Sequence, residues 1–176
     1  MSHRTHQVRS RRAVLISTAL GLLGALAAGC RDRSGEAGHA DRANGPQVTI
    51  NGRTWRVELA TTEFQRYQGL SGRRELPEGT GMLFAYRSAA VLDFCMRGCH
   101  IPIDIAFIGP DLRVVAVHTM AVEPDMAGRV AYSSGQPAQF AMEVPAGELA
   151  RNGLTPGARV AFSEEAQAAA KAADSP

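Results

Sequence analysis

The sequence predicts a mainly β fold with minor α+β character. It reads as one compact domain, barrel-like or a sandwich, of short antiparallel strands with two short helices. Three observations point there. Runs of three to eight residues rich in Val, Ile, Thr and aromatic side chains recur between turn signals over residues 47–165, as short strands do. Asn51-Gly52 and Gly109-Pro110-Asp111 supply tight turns, because Asn and Gly tolerate positive φ and Pro presets a turn's first φ. Only two stretches carry both a helix start and a helix stop. The segment of about 119 residues is long enough to close a single core. A split α+β sheet is the competing architecture.

Val48–Ile50 and Thr54–Leu59 flank Asn51-Gly52 and read as a hairpin. Thr61 or Thr62 then caps a short helix, since the hydroxyl satisfies an otherwise orphan N–H. Gln65, three residues after Thr62, completes a capping box, and Gly69 is placed to end the helix in a left-handed turn. Strands follow at Gly81–Tyr86, Val91–Met96 and Ile103–Ile108. The Gly109-Pro110-Asp111 turn leads to Arg113–Met120, and two more strands lie at Gln139–Val144 and Arg159–Phe162. Between those two, Ala146–Asn152 reads as the second helix, closed by Gly153.

Upstream of the domain, Arg9, Arg11 and Arg12 precede an apolar run, Ala13–Ala28, and then Gly29-Cys30. A basic start, a short apolar stretch and small residues before a cleavable position describe an export signal over residues 1–29. The run of about 16 residues, which holds Gly21 and Gly24, falls short of the ~20 a spanning helix needs. Leu26–Cys30 resembles the lipobox of bacterial lipoproteins, whose cysteine takes acyl chains of the palmitate type and becomes the mature N-terminus. Arg11-Arg12 followed by Val14-Leu15 also resembles the twin-arginine export motif, the general secretory route being the alternative. The expectation is an exported lipoprotein, anchored to the membrane through Cys30 and facing the periplasm or cell exterior. Residues 30–46 then read as the lipidated cysteine and a disordered tether reaching on the order of 20–25 Å. Residues 166–176, mostly Ala with Gln, Lys and Asp, read as a disordered tail or a fraying helix.

The export segment holds the positive charge. The chain has 19 basic and 17 acidic residues, and residues 1–29 contain four arginines and no acid. Beyond residue 29 stand 15 basic and 17 acidic groups, with no basic stripe. Nucleic acid is therefore excluded as a partner class.

Six segments together carry a family resemblance. They are Val57-Glu58-Leu59-Ala60, Gly69–Arg73, Gly81-Met82-Leu83-Phe84, Phe94–Cys99, Ile101–Ile108 and Glu143–Gly147, with Tyr132-Ser133 before the last. In this order they resemble the domain of unknown function 192 family, small bacterial and archaeal proteins that are often exported. The family usually has Met where Ser71 stands, and Trp and Asn around Cys95 and Gly98. The resemblance covers nearly all of residues 48–162 and implies a compact β-rich fold with no established reaction.

Cys95-Met96-Arg97-Gly98-Cys99-His100 leaves three readings open: a Cys95–Cys99 disulfide, free structural thiols, or a soft-metal site. Two thiolates with His100 or Met96 suit copper or zinc, and His118 and Met120 face one side together on a later strand. On a straight strand the two cysteine Cα atoms would stand about 13 Å apart, beyond the ~4.4–6.8 Å a disulfide needs, and Gly98 offers the bend. Arg73, Asp104 and Glu143 are ligand-site candidates carried over from the family's motifs. A carboxylate in an apolar strand either pairs with a cation or has a raised pKa. The alternative is a structural Asp104–Arg73 pair, with Asp104 accepting backbone N–H groups. Spacing does not bring Asp104 and Glu143 together as acid and base.

No phosphate loop, nucleophile elbow, His-Glu-x-x-His or dinucleotide fingerprint occurs, which disfavours enzymes that rely on those motifs. The expected function is a lipid-anchored, monomeric extracytoplasmic binding or accessory protein, its partner a small molecule or an envelope protein. No catalytic residue or cofactor is assigned. The rival is a small enzyme or copper or zinc binder using Asp104, Glu143 or the Cys95/Cys99/His100 segment.

Overall fold

The computed structural model describes residues 45–173. The expected signal at 1–29, the lipidated Cys30 and the tether as far as residue 44 lie outside the described residues. Asn51 and Gly52 take φ values of 51° and 78°, the two left-handed positions that join β1 (Gln47–Ile50) to β2 (Arg53–Ala60). Thr62 caps α1 (Glu63–Gln68): its hydroxyl accepts from Gln65 N at 3.3 Å, and the Gln65 side chain accepts from Thr62 N at 3.1 Å. Beyond the 69–79 loop come β3 (Thr80–Ala90), β4 (Asp93–Cys95), β5 (Ile103–Ile108) and β6 (Val114–Met120). The rest is β7 (Ala131–Ser133), β8 (Ala138–Pro145), α2 (Glu148–Arg151), β9 (Val160–Phe162) and α3 (Glu164–Lys171).

Seven strands form one sheet in the order β6-β5-β8-β3-β2-β1-β9, and β4 pairs with β7 in a separate ladder. The two edges of the large sheet meet. Arg113 before β6 bridges Arg159 before β9. Val114 N donates to Ala158 O at 3.0 Å, and Val160 N to Leu112 O at 2.9 Å. The sheet is thus curled into a half-barrel, and the contact satisfies backbone groups that an open edge would leave unpaired. The expected mainly β, barrel-like domain is the observed one.

Three details differ from the sequence reading. β2 and β3 run parallel while every other ladder is antiparallel; the crossover is long enough because it holds α1 and the 69–79 loop. β7 was not expected, being three residues beside a polar loop. The segment from 166, expected as a disordered tail or a fraying helix, instead carries most of a capped and packed α3. Ser163 Oγ accepts from Ala166 N at 3.4 Å to cap it, and Ala166 and Ala173 are buried in the core. Two helices were expected in the domain and three are present among the described residues.

Strand alternation divides the core between the two faces of the sheet. Leu83 and Ala85, Ala106 and Ile108, and Met142 and Val144 join Val48, Trp55, Phe162 and Ala166 inside the curl. Their neighbours Met82, Phe84, Ile103, Ile105, Phe107 and Ala141 face the other way and pack under Leu70, Leu92 and Met96. β5 is buried on both faces, which accounts for its nearly unbroken apolar run. Glu148, a buried acid at the start of α2, accepts from Trp55 Nε1 and from Gly79 N at 2.9 Å. It ties the crossover to the hairpin.

Candidate functional site

Glu143 stands on β8 opposite Met82 of β3 and Ile105 of β5. Its side chain therefore faces the outer cluster, not the interior of the curl. Gly81 permits the close strand approach here, since a Cβ at that position would lie 2.3 Å from the Glu143 carbonyl oxygen. The residue is only 5% exposed, and among the described residues no hydrogen bond or ion pair engages its carboxyl. Burial alone pushes the acid up to about 8. At neutral pH in an empty site it is mostly protonated.

Glu143 forms part of a pocket of about 250 Å³ whose walls come from two loops and the strand ends beneath them. One wall is α1 with Gly69, Leu70 and Ser71; the other is β4 with Arg97 and Cys99. A few hydrogen bonds join the walls and brace the loop behind them. Gly72 N donates to Gly98 O at 2.8 Å, Ser71 Oγ to Arg97 O at 2.8 Å, and Gly98 N to Met126 O at 2.9 Å. Gly98 takes φ 66°, and a Cβ there would lie 3.4 Å from Ser71 Cβ, so glycine suits both the turn and the contact.

Aromatic rings line much of the space. Phe84 and Phe94 meet edge to face with centroids 4.9 Å apart, and Phe94 continues to Phe107 at 5.5 Å. Tyr86 and Tyr67 stand nearer the mouth, each under a guanidinium: Arg66 lies 4.7 Å from the Tyr86 ring and Arg97 3.8 Å from the Tyr67 ring. Both arginines are also fixed to carbonyls. Arg66 Nη1 donates to Thr61 O at 2.7 Å and Ala85 O at 2.9 Å, and Arg97 Nη2 to Tyr67 O at 2.6 Å.

The structure separates the residues proposed from sequence. Arg73 pairs with Glu58 on the surface and lies outside the pocket. Asp104 is buried on the opposite face from Glu143, where it accepts from Thr119 Oγ1 at 2.7 Å and Leu149 N at 3.0 Å. It secures α2 and makes no ion pair among the described residues; the Asp104–Arg73 pair considered from sequence does not form, since Arg73 pairs with Glu58. Cys95 and Cys99 both line the pocket but are unbonded, Cys95 exposed and Cys99 buried. Burial, then the nearby Glu143 and Cys95, push the Cys99 thiol up to about 11, against a smaller opposing effect of Arg97. His100 is exposed, Met96 is in the core, and His118 bonds the Ser133 carbonyl at 2.8 Å. Among the described residues no three His, Cys, Asp or Glu side chains converge as metal ligands. Of the sequence candidates, Glu143, Cys95 and Cys99 share one site.

Sequence reasoning did not single out Arg66, Tyr67, Phe84, Tyr86, Phe94 and Arg97 as lining residues. One signal was available: Phe64 and Tyr67 stand 75% and 68% exposed on a six-residue helix, a placement that core packing does not explain. The arrangement can enclose a small molecule between aromatic walls and present a buried carboxyl to it.

Residues 46–162 match the family model DUF192, described as "Uncharacterized ACR". A protein of unknown function from Novosphingobium aromaticivorans DSM 12444 is similar in structure, with 33% identity and TM-score 0.61; the match covers 65% of this chain and 83% of that one. A protein from Sinorhizobium meliloti 1021 described as a "putative transcription regulator" matches at 30% identity and TM-score 0.59, covering 66% and 92%. Among curated proteins nothing matches.

Proposed function

The chain belongs to the DUF192 family, and we propose that its domain is a small-molecule binding module, exported and held at the membrane by a lipid on Cys30. One observation carries the binding: a pocket of about 250 Å³ that holds the buried, unengaged carboxyl of Glu143. Buried acids are ordinarily paired or hydrogen-bonded because desolvation is costly. An acid left without a partner beside open space supports a role in meeting a ligand. The export reading is supported by the Arg9–Cys30 pattern.

Catalysis is less well supported. Cys99, with its thiol pushed up to about 11, is un-ionised at neutral pH and a poor nucleophile. Transcriptional regulation, named for the Sinorhizobium relative, finds no basic excess beyond residue 29, where 15 basic and 17 acidic groups stand.

The test is an amide-resonance titration of the purified full chain against a mixture of small polar aromatic and aliphatic fragments. Shifts should concentrate at Leu70, Ser71, Cys95 and Arg97. Shifts gathered on α3, or none at millimolar fragment, would refute the reading.

A further inference from the structure

We infer that the pocket takes a small organic cation, an amine or guanidine, whose charged nitrogen seats against the Glu143 carboxyl beside the Phe84 and Phe94 pair. The inference rests on the binding reading above and names the class of ligand.

The argument begins with what Glu143 lacks. Asp104 and Glu148, the other deeply buried acids, each accept two hydrogen bonds from the protein. Glu143 is 5% exposed, against 1% for those two, and accepts none from the described residues. Its burial is not relieved by either pocket arginine, since neither contributes to the state of its carboxyl. Arg66 and Arg97 are held on Tyr86 and Tyr67 by stacking and by carbonyl bonds. The protein thus supplies a carboxyl that a bound cation can ionise, and directs its own cations elsewhere.

The surroundings favour a positive charge over an anion or a second carboxyl. The groups facing Glu143 and the space before it are Cys99 and Cys95 from the β4 loop, Asp93 of β4, and Arg66 and Arg97. The Cys99 thiol is neutral at physiological pH, its acid strength reduced by burial and by Glu143 itself. Phe84 and Phe94, packed edge to face on each other, also line the pocket and carry no guanidinium of the protein, so an aromatic surface is available beside the carboxyl. A neutral hydrogen-bonding ligand would use the carboxyl only in its protonated form, whereas a cation binds the ionised form. The two alternatives therefore respond to pH in opposite directions.

Benzylamine and benzyl alcohol are probes of nearly equal size, and the amine stays charged over the range used. Each is titrated into the full chain by calorimetry and amide resonances from pH 6 to pH 8. With the carboxyl titrating at about 8, its ionised fraction rises about 50-fold over that range. Benzylamine affinity should rise by about that factor and release close to one proton per molecule bound at pH 6. Benzyl alcohol affinity should fall about twofold, and Glu143→Gln should abolish the amine's pH dependence.

An amine affinity that is flat or falling with pH overturns the inference and leaves the pocket standing. If neither probe moves the pocket resonances, the binding reading fails and this one with it. A short lysine-containing peptide is the third probe. Tighter binding of the peptide than of benzylamine would overturn the small-molecule assignment and give the site to a protein side chain.

Discussion

Glu143→Gln should remove a stability penalty that grows with pH. In the unfolded chain the carboxyl titrates near its ordinary 4.5, and in the folded chain near 8. Between those values the folded protein holds a proton that the unfolded chain has released, so raising the pH favours unfolding. Below 4.5 both states are protonated and the group is silent; above 8 the penalty is complete. Each pH unit is worth about 1.4 kcal/mol, giving on the order of 3 kcal/mol at pH 7 and 5 kcal/mol above pH 8. The Gln amide brings unpaired donors of its own, a pH-independent cost of about 1–3 kcal/mol. The slope, not the absolute difference, is therefore the signal. Urea denaturation followed by Trp55 fluorescence at pH 5, 6, 7 and 8 measures it for both proteins. The wild type should lose about 1.4 kcal/mol per unit relative to the variant; parallel stability curves would refute the argument.

Asp104→Ala should cost about 1–3 kcal/mol, because it strips the acceptor from the buried Leu149 N, while the exposed Thr119 hydroxyl can turn to water; thermal unfolding reads the loss. Arg73→Ala, which breaks only a partly exposed pair with Glu58, should cost less than about 1 kcal/mol and leave fragment binding unchanged. In reduced protein the exposed Cys95 should alkylate well ahead of Cys99, which is buried and whose thiol is pushed up to about 11, as peptide mass spectrometry under timed labelling can show. Cys30→Ser should release the protein into the soluble fraction, and retention after alkaline washing would remove the lipid anchor from the proposal.

What was legible in the sequence was local. Asn51-Gly52 needs only its own two φ angles to make a hairpin, and Thr62 with Gln65 caps α1 within four residues. Non-local features were hidden. β7 is a strand because β4 lies beside it, through the Phe94–Tyr132 pairing, and its own three residues carry no pattern. α3 is buried through alanine methyl groups against β1, β3 and β9, so it lacks the large apolar stripe that usually marks a packed helix. The candidate acids divide for the same reason. Asp104 pairs in register with Val144, next to Glu143 in the chain, and a single-residue step along a strand reverses the face. Asp104 meets α2, Glu143 meets the pocket, and no spacing rule relates them.

The position of Glu143 also explains how a rigid fold can carry an adjustable site. Its backbone belongs to β8 at the centre of the sheet, bonded on both sides to β3 and β5, so the carboxyl itself has little freedom. The pocket walls are different: they hang from the Gly69–Ser71 and Arg97–Cys99 loops and are joined by a few bonds such as Gly72 to Gly98 and Ser71 to Arg97. Segments of that kind open at lower free-energy cost than the strands beneath them. A ligand that bridges Glu143 and the walls stabilises the closed arrangement by mass action, in proportion to its concentration above Kd. Hydrogen exchange at Gly72 and Gly98 should therefore slow on binding while exchange in β5 and β8 stays unchanged. Slowing spread evenly through the sheet would mean that the ligand acts on global stability and not on the walls.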